Sequence, residues 1–257
     1  MLKSEPAPGR AAHRYGRFDT VLRVGQLSEL RKIDESIWSC DRSFSTLGVQ
    51  SSLRMVVIRL RSNELFLHSP VALSDGLKQE LSDIGHVRHV VAPNMAHHLF
   101  IAPYAAAFPD ATLWGAPGLA EKKPKLPLQR VLGDASDTVW SDEIDQLAVR
   151  GIPQTNEVVF LHRPSRSLIL TDLAIHFPHS QQANWWTRTM LKLQKVYDCP
   201  PRPSAFMKRL TKDESALRAS VDRMLAWDFD RLVLTHGDLV YPGGREALRR
   251  AFDYLQR

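Results

Sequence analysis

Cysteine is scarce in this 257-residue sequence: Cys40 and Cys199 are the only two, far apart and without CxxC spacing. That excludes a disulfide framework and a thiolate zinc site, and both thiols read as reduced and structural. No apolar stretch approaches the ~20 residues that span a bilayer, so no membrane association is expected. The opening residues, Met1 to Arg17, carry Lys3, Arg10, Arg14 and Arg17 but no apolar run of a secretory signal, and a cytoplasmic location is the expectation. Repeats at solenoid or propeller period are missing. The net charge of +6 comes largely from scattered Arg and Lys, with local clusters at Lys122, Lys123 and Lys125 and at Arg245, Arg249 and Arg250 and no aromatic residues interleaved. Without rings to stack on bases, these clusters read as solvated faces, and no specific nucleic acid partner is expected. A small-molecule substrate, anionic if the lysine loop takes part, remains open.

What is present is the composition of an ordinary globular protein, 44% hydrophobic and 24% charged. Residues 1–17, rich in Pro, Gly, Ala and positive charge, read as a flexible basic tail, and residues 18–257 as one ordered domain. The runs Val56 to Leu60 and Leu65 to His68 suit a hairpin. Ser74 then opens a helix with Leu77, Leu81 and Ile84 on one face, ended by Gly85. A strand over His86 to Ala92 is followed by Pro93 and a helical stretch through Ala107, interrupted at Pro103, and then a short strand, Ala111 to Trp114. Glu157 to His162 and Ser167 to Thr171 form a second hairpin, apolar enough for burial on both faces. A helical segment, about 180–225, is broken at Cys199-Pro200-Pro201-Arg202-Pro203. Phe229 to Leu234 is a last strand, and Gly244 to Gln256 a closing amphipathic helix. The stretch 115–140 carries little periodic signal beyond Trp140, which reads as an anchor. Two β-rich halves, each with helices, most simply make two packed sheets with helices outside.

Histidines and one aspartate fall where strands run out. Val90-Val91-Ala92 leads to His97-His98, Leu168-Ile169-Leu170-Thr171 to Asp172, and Leu232-Val233-Leu234-Thr235 to His236-Gly237. Strand tips fix side chains while their loops stay open, which is how layered folds build sites. Imidazole and carboxylate suit a borderline cation such as zinc, and a catalytic centre needs about three protein ligands with a position left for water. His97, His98, Asp172 and His236 can supply that set.

The order hairpin, histidine pair, strand-end aspartate and strand-end His-Gly resembles the metallo-β-lactamase superfamily. More narrowly, Leu67-His68-Ser69-Pro70-Val71, Ala92-Pro93-Asn94 through Phe100, Phe108-Pro109-Asp110-Ala111, Glu157-Val158-Val159-Phe160 and Leu170-Thr171-Asp172-Leu173 resemble an uncharacterised divergent branch known as a domain of unknown function. The resemblance covers roughly residues 30–250 and implies an α+β fold, a four-layered αββα sandwich. The superfamily's first motif reads His-x-His-x-Asp-His. Here the window is Pro93-Asn94-Met95-Ala96-His97-His98, so Pro93 and Met95 replace two ligands and His97 stands in for the aspartate. The third-motif histidine is also replaced, its region holding Pro153, Gln154 and Thr155. The resemblance thus implies a degenerate site with one divalent metal, zinc before manganese or iron, held by His97, His98, Asp172 and His236. Asp172 matches the bridging aspartate and His236 the last histidine.

The activity this implies is metal-dependent hydrolysis of an ester, lactone, thioester or phosphoester, with His97 or Asp172 orienting or deprotonating the water. The alternative is a metal-free, inactive member, without cofactor, that binds a small molecule or a protein partner. Each residue also has a plainer role: capping and packing for His97 and His98, a turn cap for Asp172, a tight turn at His236-Gly237. His68 reads as a core or supporting residue, His176 and His179 as surface residues near the pocket mouth, and at least one of Trp185 and Trp186 as core.

Overall fold

The two β-rich halves become two sheets in the computed structural model, which describes residues 28–46, 48–177 and 184–256. The expected tail over residues 1–17, the start near Phe18 and His179 lie outside them. The first sheet runs in chain order: β1 (Arg31–Asp34), β2 (Ile37–Thr46), β3 (Val49–Arg59), β4 (Glu64–His68), β5 (His86–Ala92), β6 (Thr112–Gly115) and β7 (Arg130–Val131). The meander β1 to β4 is antiparallel and β4 to β7 is parallel. The second sheet has the order β11 (Arg231–Leu234), β10 (Ser167–Leu170), β9 (Val158–His162), β8 (Ile144–Ala148), with only the β10/β11 pair parallel. Among the described residues, seven α-helices flank the sheets: α1 (Asp75–Ile84), α2 (Ala102–Ala107), α3 (Leu119–Lys122), α4 (Trp185–Leu193), α5 (Ala205–Leu210), α6 (Glu214–Ala226) and α7 (Gly244–Ala251).

Three separate apolar layers define the stacking. Leu65 and Leu67 of β4 pack with Leu77 and Leu81 of α1 on the outer face of the first sheet. Phe66, one residue out of phase, faces the other way and meets Trp140, Phe160, Ile169 and Val233 between the sheets. Leu168 and Leu170 of β10 pack outward on Leu217, Val221 and Met224 of α6 and Leu248 of α7. Helix, sheet, sheet, helix is the resulting order, the four layers expected. Trp140 is the expected anchor: it is buried, edge-on to Trp114 at 4.6 Å and to Phe66 at 5.1 Å, and its indole N–H donates to Gln146. Burying such rings contributes roughly 2–3 kcal/mol each.

Local signals are realised where chemistry is local. Ser74 caps α1 by accepting from the Leu77 N–H, and the helix stops at Gly85. The chain misses the expected helix between Pro93 and Ile101, where successive turns intervene; α2 begins only at Ala102, with Pro103 in its first turn. The prolines at 200, 201 and 203 separate α4 from α5 as expected. Strands β1, β2, the first half of β3, β7 and β8 were not expected from the sequence. Ser43, Ser45, Ser51 and Ser52 give the β2/β3 ribbon no apolar run, yet its ladder is continuous from Ile37↔Ile58 to Thr46↔Val49. Backbone pairing across the hairpin, rather than an apolar pattern, makes that ribbon.

Candidate metal centre

All parallel strands point their C-terminal ends the same way, so the residues after β5, β10 and β11 meet at one edge of the sandwich. His97, Asp172 and His236 converge there, each offering a ligand atom within 4.8 Å of the others. The two Nε2 atoms of His97 and His236 are 3.2 Å apart. The Asp172 carboxylate presents Oδ2 to His97 Nε2 at 3.4 Å and Oδ1 to His236 Nε2 at 3.4 Å. Donors about 2.0–2.1 Å from a tetrahedral zinc stand roughly 3.3 Å from one another, so this donor set and spacing fit a divalent cation. The two surface clefts lined by Arg59, Arg61 and Glu143 and by Glu64, Arg88 and Asp110 lie toward the other end of the strands.

Each donor is held from behind. His97 Nδ1 is 2.7 Å from Ser69 Oγ, so its Nε2 is left for the centre. His236 Nδ1 is 2.7 Å from the Ser52 carbonyl oxygen, which accepts only, so that nitrogen carries the proton. The turn around His236 is clamped to β3: the buried Arg54 guanidinium donates to the carbonyls of Leu234 and Gly237 on either side of it, both at 2.7 Å, and to Asp41. Gly237 is the one residue type that fits the next position. Its φ is +93°, and a Cβ there would stand 1.3 Å from the His176 carbonyl oxygen.

Asp172 follows β10 in a turn organised by Glu157. This buried carboxylate accepts from the backbone N–H groups of Thr171 (2.7 Å), Asp172 (2.9 Å) and Leu173 (3.0 Å). Burial, then the Asp172 charge, push Glu157 up to about 7, with the Thr171 N–H pulling against them. Burial alone would raise Asp172 too, but His97 and His236 outweigh it and hold the carboxyl well below its ordinary range. For His236 the same pairing runs in reverse: burial lowers it, and Asp172 more than restores it, leaving the ring above its ordinary value. The centre therefore draws positive charge, as a proton or as a cation.

His98 does not join. The expected fourth ligand is absent from the converging group, because His97 and His98 sit on consecutive residues of a tight turn and only His97 is drawn to Ser69 and Asp172. The His98 ring is buried, and burial, followed by the charges of Lys123 and Lys122, lowers its pKa. Lys122 is tied to the same turn, its Nζ donating to the Met95 carbonyl. His68 is core, fully buried and edge-on to Phe160. His176, read as a surface residue, is buried instead, its backbone N–H donating to the His236 carbonyl. Trp185 and Trp186 are 75% and 40% exposed, so neither is core. Ser52, Arg54, Ser69, Asn94 and Glu157 were not legible as supports. The visible signals were an Asn directly after a strand-ending Pro and a lone Glu opening an apolar strand.

A family model described as a domain of unknown function (DUF4336) matches residues 34–185, more than half of the chain. The chain belongs to the DUF4336 family. Solved structures similar to this DUF4336 protein include a metallo-β-lactamase from Pontibacter korlensis, 13% identical over 89% of this chain and 99% of that one, with a TM-score of 0.59. A metallo-β-lactamase from Erythrobacter litoralis is 12% identical over 90% and 98% of the two chains, with a TM-score of 0.61. The flavodiiron core of Flv1 from Synechocystis sp. PCC6803 is 13% identical over 88% of this chain and 60% of that one, TM-score 0.60. No curated protein matches the sequence significantly. Likeness at these identities establishes the fold alone: the DUF4336 chain has the metallo-β-lactamase fold. No helix among the described residues is long and apolar enough to cross a membrane.

Proposed function

We propose that this DUF4336 protein is a metal-dependent hydrolase with one cation held by His97, Asp172 and His236. The observation that carries the reading is the convergence of two imidazole Nε2 atoms and one carboxylate at the strand edge, each fixed from behind. A divalent cation bound there supplies a Lewis acid for a carbonyl or phosphoryl oxygen and lowers the pKa of water, chemistry suited to an ester, lactone, thioester or phosphoester. The chain's residues do the positioning. Ser69 holds the His97 ring through Nδ1, and the Ser52 carbonyl fixes the His236 tautomer. Asp172, kept anionic by its two histidines, is a weak base; it accepts a hydrogen bond from the attacking water and orients it.

A second reading, a metal-free member that binds a small molecule or protein partner, draws on Pro93, Met95, Pro153, Gln154 and Thr155 standing where the resemblance expects ligands. Metal analysis of protein purified without a metal-affinity tag separates the two. The expected result is one equivalent of zinc, manganese or iron in the wild type, lost in H236A and D172N. Metal-free protein in every preparation, and no uptake on dialysis against zinc, refutes the hydrolase and leaves the second reading.

A further inference from the structure

The donors come from two different sheets. Asp172 and His236 follow β10 and β11, and the ladder that pairs Leu170 with Leu234 sets them relative to each other. His97 follows β5 of the other sheet, and among the described residues no strand ladder joins the two sheets. Something other than strand pairing must therefore set the His97 loop against Asp172.

Asn94 does this with a single side chain. It is fully buried between the two strand ends. Its Nδ2 donates to Asp172 Oδ2 at 2.8 Å and to Thr171 Oγ1 at 2.9 Å. Its Oδ1 accepts from the backbone N–H groups of Ala96 and His97, both at 2.8 Å. A carboxamide has two donor hydrogens and two acceptor lone pairs, and all four are used. Two backbone bonds also cross here, Val158 N–H to the Pro93 carbonyl and Met95 N–H to the Thr155 carbonyl, but neither touches a donor residue. Among the described residues, only Asn94 grips a donor carboxylate on one side and the backbone of a donor histidine on the other.

We propose that Asn94 is the positioning residue of the cation site, locking the His97 turn of one sheet to the Asp172 carboxylate of the other. This rests on the single-cation reading for its functional consequence, while the lock itself can be tested without a metal. The polarity of the amide is essential to it. An aspartate of the same shape still accepts from Ala96 and His97, but turns a carboxylate oxygen toward Asp172 Oδ2, where the asparagine offered an N–H.

The test has two arms on the full-length protein. In the first, urea unfolding of metal-free N94A, D172A and N94A/D172A measures coupling, and the expected result is a double variant whose midpoint falls less than the two single shifts combined. In the second, zinc is titrated against a chromophoric chelator into wild type, N94A and N94D. Both variants are expected to bind zinc about 10–100-fold more weakly, the usual loss when a residue supporting a ligand is removed. N94D keeps both backbone acceptor bonds and loses only the N–H toward Asp172, so weakened zinc binding in N94D as well as in N94A is a response that the backbone contacts alone do not produce. Additive midpoints together with wild-type zinc affinity in both variants overturn the proposal. Coupled midpoints in a protein that binds no zinc keep Asn94 as the lock and refute the single-cation reading instead. Additive midpoints in a protein that binds no zinc refute both.

Discussion

Replacing His68 with leucine is expected to stabilise the protein, and to do so increasingly as the pH falls. His68 ends β4 with its side chain between the sheets, fully buried, with no hydrogen-bond partner among the described residues at either ring nitrogen and its ring 5.5 Å from that of Phe160. A neutral imidazole has one donor and one acceptor, and each buried without a partner costs about 1–3 kcal/mol. Loss of the edge contact and imperfect packing of the new side chain take back roughly 1–3 kcal/mol. H68L is therefore expected to gain about 1–2 kcal/mol at pH 7. Burial, with a smaller contribution from the His97 charge, pushes His68 down to about 3. A folded-state pKa below the ordinary 6.5 means that the neutral ring's contribution is complete above pH 6.5 and is lost as the pH falls toward 3. At about 1.36 kcal/mol per unit, the wild type loses about 2 kcal/mol through this residue between pH 7 and pH 5, and H68L does not. Urea unfolding of both proteins at the two pH values measures this, with a gap about 2 kcal/mol wider at pH 5 as the expected result. An equal gap at both values, or an H68L less stable at pH 7 by more than about 1 kcal/mol, refutes the reasoning and shows that the ring is partnered in solution.

Two further substitutions probe the backbone around the centre. E157A strands the N–H groups of Thr171, Asp172 and Leu173 and is expected to cost about 3 kcal/mol or more in urea unfolding, with weaker zinc binding; an unchanged midpoint refutes the carboxylate's role in the turn. G237A forces a side chain into a left-handed position against the His176 carbonyl and is expected to destabilise by more than about 3 kcal/mol; a thermal midpoint within about 2 °C of wild type refutes that account.

Much of the fold was legible because its signals are local. Ser74 caps the start of α1, and Gly85 ends it where a Cβ would stand 2.7 Å from the Asn63 carbonyl oxygen. The run His86 to Ala92 is β5 to the residue, and the two apolar runs on either side of the turn at residues 163–166 are β9 and β10. The β2/β3 ribbon was not legible, because its serine-rich half carries no apolar run and is held by backbone pairing, Ser43↔Ser52 to Thr46↔Val49, that side-chain pattern does not report. The stretch after Pro93 shows the opposite failure: successive turns stand where a helix was expected, the first of them closed by Asn94 Oδ1 accepting from the Ala96 and His97 N–H groups, and α2 begins only at Ala102.

For the site, the sequence by itself determined which residue types stand at the strand ends and, by their order, that the chain resembles a metallo-β-lactamase with half of the usual ligands replaced. Only the tertiary structure decided which of them meet. His97 and His98 are equivalent in a sequence, but one ring reaches Ser69, Asp172 and His236 and the other lies beside Lys122 and Lys123. The supports Ser52, Ser69, Asn94, Glu157 and Arg54 became visible for the same reason. Each acts across a gap between strands, turns or sheets, and such distances are set by packing rather than by any spacing along the chain.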